Sequence, residues 1–181
     1  MDQELERLRE ENTRLRDAAR HDSLTGLPNR VGFEAMMSEA IRKPSGGLLV
    51  LMDIDRFKHL NDRNGHIAGD ALLCETAYLL RELFSPRDLI ARVGGDVFAV
   101  YVTSGFGKET VYARAAQLTS RLRAGSRAGM RWSVSFTLGV AEKQPGDDYA
   151  SLFDRAERLL CASKADRRGR RAPRPESGDD R

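Results

Sequence analysis

The sequence predicts an α/β (α+β) sandwich: a mixed, largely antiparallel central sheet flanked by helices, preceded by an N-terminal coiled-coil helix. Three observations predict it. Leu48 to Met52 is a continuous apolar run, the pattern of a strand buried on both faces. Leu89 to Val93 and Val97 to Thr103 are apolar runs on either side of Gly94-Gly95-Asp96, the pattern of a β-hairpin. Around these runs lie segments with apolar residues at helical spacing, so helices and strands interleave about one core.

Residues 1–20 carry Met1, Leu5, Leu8, Leu15 and Ala19 at alternating spacings of four and three, interrupted by Asn12. With Leu5 at heptad position a, Asn12 also falls at a, where a buried Asn fixes register and favours a parallel dimer. Glu4 and Glu11 fall at g, opposite Arg9 and Arg16 at e across such a dimer. The alternative is a lone amphipathic helix folded onto its own domain. A breaker-rich segment, His21 to Arg30, leads into a helix over about Arg30 to Arg42, with Phe33, Met36, Met37 and Ile41 in phase. Pro44-Ser45-Gly46-Gly47 stops it.

The strand Leu48 to Met52 follows, and Asp53 and Asp55 are expected where it meets solvent. Residues 56–66 read as a short helix and loop with Gly65 as C-cap. Gly69-Asp70 is expected to open a longer helix to about Phe84, broken by Ser85-Pro86-Arg87. After the hairpin come a helix over about Lys108 to Arg123, a strand over Trp132 to Glu142, and a last helix over about Tyr149 to Ala165.

A chain of 181 residues suits one domain with its own core and a short appendage at each end. The predicted division is a dimerisation helix over 1–20, a folded domain over 21–168 and an Arg-rich disordered tail over 169–181. No apolar run approaches the ~20 residues that span a bilayer, and the charged N-terminus is unlike a signal peptide. The expectation is a cytoplasmic protein without a membrane segment. Cys74 and Cys161 are expected to be reduced and buried as small apolar residues, and no Cys/His cluster has zinc spacing. The net charge of +3 is mild. The basic tail is followed by an acidic close, Glu176 to Asp180, which argues against a DNA partner.

Asp53 and Asp96, at the ends of apolar strands, are candidate metal ligands. Magnesium takes hard oxygen ligands, commonly one or two carboxylates completed by nucleotide phosphates and water. Both are equally ordinary turn residues at strand ends. Gly94-Gly95 is either a plain hairpin turn or a place where missing side chains admit a phosphate or ribose to the backbone. Asn61 and Asp70, an amide and a carboxylate, match a guanine edge, although each also suits a cap or turn. Lys58, Lys164 and Arg168 are candidate phosphate cations, or surface charges.

Together these residues resemble the GGDEF family, the diguanylate cyclase domain, over about His21 to Arg168. Asp22-Ser23-Leu24-Thr25-Gly26-Leu27-Pro28-Asn29-Arg30 resembles the family's entry motif. Asp53 to Asp62 continues it through Gly65-His66 and Gly69-Asp70, and Arg92-Val93-Gly94-Gly95-Asp96-Val97-Phe98 stands where the naming signature belongs. The resemblance implies a nucleotide-cyclase palm-like fold and a head-to-head dimer in which each GTP 3′-hydroxyl attacks the other GTP's α-phosphate to give cyclic di-GMP. It implies Mg2+ (or Mn2+) held by Asp53, the Ile54 carbonyl and Asp96, with Asp53 and Asp96 as the catalytic acids. It also implies guanine read by Asn61 and Asp70, phosphates bound by Lys58, Lys164 and Arg168, and close approach of substrate at Gly94 and Gly95.

The chain departs from the family at four places. Val97 replaces the usual Glu, and an aliphatic side chain neither coordinates a metal nor accepts a proton. The product-inhibition motif Arg-x-x-Asp reads Ser85-Pro86-Arg87-Asp88, leaving Asp88 only. The last helix carries Cys161, Ser163 and Arg167 where Tyr, Ala and Gly are usual. Thr137 stands for Ser. The resulting expectation is a GTP-binding, dimeric signalling domain with turnover impaired or absent. The alternatives are an active diguanylate cyclase without product inhibition and a non-binding dimerisation scaffold.

Overall fold

The computed structural model describes residues 4–7, 11, 19–43, 46–103, 105, 107–125 and 131–169, with side chains as far as Arg167. Met1, Leu8, Arg9, Asn12, Leu15 and Arg16, which carry the heptad reading, lie outside the described residues, as do the tail beyond Gly169 and the Arg168 side chain. Residues 4–7, 11 and 19–20 are helical.

Four strands are described: β1 Leu48–Ile54, β2 Leu89–Arg92, β3 Val97–Val102 and β4 Phe136–Glu142. They form one sheet in the order β2-β3-β1-β4, and all three pairings are antiparallel. Five helices flank it: α1 Arg30–Ala40, α2 Phe57–Asn64, α3 His66–Leu83, α4 Lys108–Ala124 and α5 Tyr149–Gly169.

The central β1 is buried along its whole length, as its apolar run requires. Alternation sorts its side chains onto two faces. Leu48, Val50, Met52 and Ile54 pack in a core with Leu72 and Leu80 of α3 and Leu118 and Leu122 of α4. Leu49 and Leu51 pack in a second core with Phe33 and Met37 of α1 and Leu152 and Ala156 of α5. Asp53 continues the parity of Leu49 and Leu51, so it emerges on the α5 face. Rather than meeting solvent, it lies within β1 and is 7% exposed.

The remaining departures from expectation have local causes. The longer helix α3 starts at His66, not Gly69. Gly65, at φ +83°, donates its N–H to the Asn61 carbonyl at 2.8 Å and turns the chain straight from α2 into α3. The strand β4 starts at Phe136, not Trp132. The Val134 carbonyl accepts from the Arg123 guanidinium at 3.2 and 3.0 Å, and the Trp132 N–H donates to Leu122 at 3.0 Å, which ties this stretch to α4 instead of β1. The last helix runs to Gly169. Its backbone lies directly on β4, since a Cβ at Gly139 would stand 2.6 Å from the Leu160 nitrogen. Cys74 and Cys161 are unbridged but exposed, not buried. The buried stripes are Leu72, Leu73, Thr76, Ala77 and Leu80 on α3 and Leu152, Phe153, Ala156 and Leu160 on α5, and both cysteines fall off them.

Candidate functional site

The acids converge where β1 ends beside the hairpin. Asp53 pairs with Val97 of β3 on one side and Thr137 of β4 on the other. Directly opposed residues of an antiparallel pair share a face, so Val97 stands next to the Asp53 carboxylate. One residue on, the Ile54 N–H donates to the Asp96 carbonyl at 3.1 Å, holding the turn against β1. Asp53, Ile54 and Asp96 are thus brought together. Burial first, and the negative charges of Asp96 and Asp55 behind it, push the Asp53 carboxyl above its ordinary 3.8, against the opposing hydrogen bond and charge of Lys164.

The hairpin turn is rigidly held. Val93 and Gly94 donate to the Val97 carbonyl at 2.9 and 3.3 Å. Arg92 folds over the turn, donating to the Gly95 carbonyl at 3.1 and 2.6 Å and to both Asp22 carboxylate oxygens at 3.0 Å. Asp22 also accepts from the Thr25 amide and hydroxyl at 2.9 and 2.6 Å. Burial is the largest single influence on Asp22 and acts upward. The two Thr25 bonds and the Arg92 guanidinium together outweigh it and hold the carboxyl below 3.8. Neither Gly94 nor Gly95 adopts the left-handed region, and a Cβ on Gly95 would meet nothing within 4 Å. The fold itself does not demand glycine at 95; its effect is an open approach to the backbone beside Asp96.

Two cations on α5 meet two acids of β1. Lys164 Nζ lies 2.5 Å from Asp53 Oδ2. Arg167, three residues on and therefore on the same helix face, lies 2.5 Å from Asp55 Oδ2 and donates to Phe136 O and Thr137 Oγ1 at 3.0 Å and to Ser135 Oγ at 3.3 Å. Asp55 also accepts from Ser135 Oγ and, at 2.5 Å, from Thr137 Oγ1. The Asp55–Arg167 pair was not foreseen as part of the site. Periodicity held the signal, because Asp55 lies two residues after Asp53 on a strand and Arg167 three after Lys164 on a helix.

Beyond Asp55, Arg56 adopts the left-handed backbone (φ 60°) that turns the chain into α2. This conformation costs a non-glycine residue about 1 kcal/mol or more. It sets Asn61 of α2 against Gly69 of α3, where a Cβ on Gly69 would lie 2.9 Å from Asn61 Cγ and closer still to Oδ1. Asn61 Oδ1 is buried without a hydrogen-bond partner. Asp70, the next residue, is exposed near the start of α3, and Lys58 is exposed on α2. Among the described residues no three acidic, histidine or cysteine side chains converge on one metal position. Asp53 and Asp96 therefore offer a two-carboxylate edge, not a closed cage.

A family model for the diguanylate cyclase GGDEF domain matches residues 19–170. The chain belongs to the GGDEF family. It is 37% identical over 172 residues to the diguanylate cyclase TpbB of Pseudomonas aeruginosa, covering 91% of this chain and 40% of that protein. It is 32% identical over 160 residues to the cyclic di-GMP phosphodiesterase PdeR of Escherichia coli, covering 86% of this chain and 24% of that protein. The chain thus spans well under half the length of these curated relatives. Its fold matches the crystallised coiled coil and GGDEF domain of DgcB from Caulobacter crescentus in complex with c-di-GMP, with a TM-score of 0.77, 29% identity and 91% coverage of both chains.

In this GGDEF domain Asp88, expected from the sequence to be all that is left of a product-inhibition motif, has a structural task. Asp88 is 7% exposed, and its carboxylate accepts from the Ser85 amide at 3.0 Å and the Thr103 amide at 2.9 Å. It closes the turn before β2 and ties it to the end of β3. Among the described residues no helix is long and apolar enough to cross a membrane.

Proposed function

We propose that this GGDEF domain binds GTP at the β1–β3 edge and signals as a nucleotide-bound dimer, with turnover to cyclic di-GMP impaired or absent. The observation that carries the reading is Asn61 Oδ1, a buried acceptor without a partner, seated against a glycine where any side chain would collide with it. Leaving such an atom unsatisfied costs about 1–3 kcal/mol, a cost a scaffold has no reason to bear. A guanine N–H would satisfy it, and the adjacent Asp70 would accept from the same edge.

The acids fit a divalent metal: Asp53 is crowded by Asp96 and Asp55, and a lysine ammonium already stands against it as a stand-in cation. Asp53, the Ile54 carbonyl and Asp96 would hold Mg2+ or Mn2+, which when bound supplies positive charge beside the α-phosphate. Lys58, Lys164 and Arg168 would bind phosphate oxygens, and Gly94 and Gly95 would let the nucleotide lie against the turn. Val97 occupies the place opposite Asp53 where the family carries an acid, so one group that could accept a proton or stabilise charge there is missing. Loss of one transition-state contact costs about 10²–10³-fold in rate while sparing substrate binding. The N-terminal heptads would bring two half-sites together, and replacing Leu8 and Leu15 with Ala would then dissociate the dimer in light scattering.

The test compares GTP affinity by calorimetry for the parent and Asp70→Ala, and product formation by mass spectrometry for the parent and Val97→Glu. Binding that Asp70→Ala weakens, with cyclic di-GMP appearing only for Val97→Glu, is expected. Absence of binding in both proteins would leave the scaffold reading. Product from the parent would favour the active cyclase without product inhibition.

A further inference from the structure

Lys164 and Arg167 sit on one face of α5, yet the structure treats them differently. Arg167 is fixed: its guanidinium serves Asp55, Ser135, Thr137 and the Phe136 carbonyl, four partners drawn from the β1 exit and from the start of β4 with the residue before it. Lys164 pairs with Asp53 alone among the described residues, and its side chain is 35% exposed on a flexible four-carbon stem. The Asp53 side chain is only 10% exposed, and the ammonium covers its Oδ2. A metal ion and an ammonium need the same lone pairs on that oxygen, so both cannot hold it together. Charge points the same way. The cluster holds three carboxylates (Asp53, Asp55 and Asp96) against two cations, and Val97 adds no further negative charge. A divalent ion entering while Lys164 stays in place would therefore leave the cluster positive.

We propose that Lys164 is a latch on Asp53, closed in the empty domain and opened when a phosphate group draws the ammonium off the carboxylate, so that a divalent cation enters only behind a phosphorylated ligand. This deepens the reading of the same site given above and rests on it for the identity of the ligand. A phosphate chain carries more negative charge and offers an ammonium more acceptor oxygens than the one carboxylate oxygen that Lys164 holds here. Because Arg167 pins the end of α5, the latch opens by rotation of the Lys164 side chain while the helix stays in place. Arg167 is accordingly a positioning residue for the latch, and no free cation is needed to rearrange the fold.

The decisive measurement uses no nucleotide. Mn2+ binding to the full chain is followed by loss of the free-ion electron paramagnetic resonance signal, for the parent, Lys164→Met, Lys164→Met/Asp53→Asn and Arg167→Met. We expect Lys164→Met to bind Mn2+ at least fivefold more tightly than the parent. The double variant should return to the weak parental affinity, locating the gained site at Asp53. Arg167→Met should not reproduce the gain of Lys164→Met. Equal Mn2+ affinity for parent and Lys164→Met, or a gain that survives Asp53→Asn, overturns the latch. Circular dichroism shows that the variants compared are folded. In a separate arm with EDTA, α,β-methylene-GTP should bind Asp53→Asn more tightly than the parent, because Lys164 is then released to the phosphates. An Asp53→Asn that binds no more tightly counts against the latch. No binding of the analogue to any variant sinks the GTP reading instead, while the metal arm still decides the latch.

Discussion

Replacing Asn61 with Ala should make this domain more stable and worse at holding a guanine nucleotide. Asn61 Oδ1 is buried with no hydrogen-bond partner, and an orphaned amide oxygen costs about 1–3 kcal/mol. Alanine is also the better helix former inside α2, by roughly 0.5 kcal/mol. Against this stands the packing of one amide group on α3, worth about 1 kcal/mol. The balance is a gain of about 0.5–2.5 kcal/mol, or roughly 1–10 °C in Tm for a domain of this size. The same change removes the acceptor that would meet a guanine N–H, and leaving that ligand donor unmatched should weaken GTP about 5–100-fold. Calorimetric melting of the nucleotide-free protein and titration with GTP read the two effects separately. An Asn61→Ala protein that melts lower than the parent, or binds GTP equally well, refutes the reasoning.

Other substitutions probe the same frame. Gly69→Ala places a methyl group against the Asn61 side chain, whose flexible end gives way; stability by urea unfolding should change by less than about 1 kcal/mol, while GTP affinity falls at least about tenfold. Two aspartates should show opposite pH behaviour. The pKa of Asp22 is lowered by folding, so its stabilisation is fully present above 3.8 and lost as pH falls through the folded value; Asp22→Asn should destabilise at pH 7 and converge on the parent in acid. The pKa of Asp53 is raised, so its cost is absent in acid and grows as pH climbs through the folded value; Asp53→Asn should melt higher than the parent at pH 7 and equally at low pH. Asp88→Ala leaves the Ser85 and Thr103 amides without their acceptor and should cost about 1–3 kcal/mol of unfolding free energy, which denaturant titration measures.

Much of this architecture was legible in the sequence, because the strongest patterns coincide with the deepest burial. The run Leu48 to Met52 became the fully buried central strand, and the glycine turn flanked by apolar runs became the β2–β3 hairpin. The meeting of Asp53 with Asp96 followed from strand ends that face one way. The misreadings arose where side chains capture backbone groups that periodicity assigns elsewhere. Arg123 takes the Val134 carbonyl, so the alternating stretch Trp132-Ser133-Val134-Ser135, which reads as strand, stays outside the sheet. Helix α3 begins before Gly69 because one left-handed glycine suffices to turn the chain. The buried position of Asp53 and the Arg167 anchor were hidden for a related reason. Both depend on how far α5 reaches across the sheet, and that distance is set by contact at Gly139, not by any local signal.

The pairing of Asp53 with Val97 also has a consequence for how such domains change over generations. Val97 lies at the outer end of β3, half-buried and beyond both apolar cores, and its partner is a charged residue, not a packed one. Selection for folding therefore has little hold on this position. Valine and glutamate codons can differ at a single middle base, so one substitution separates the two residues. A lineage could lose or regain an acid opposite Asp53 without rebuilding its packing, which makes the absence of that acid an easily reversible genetic state.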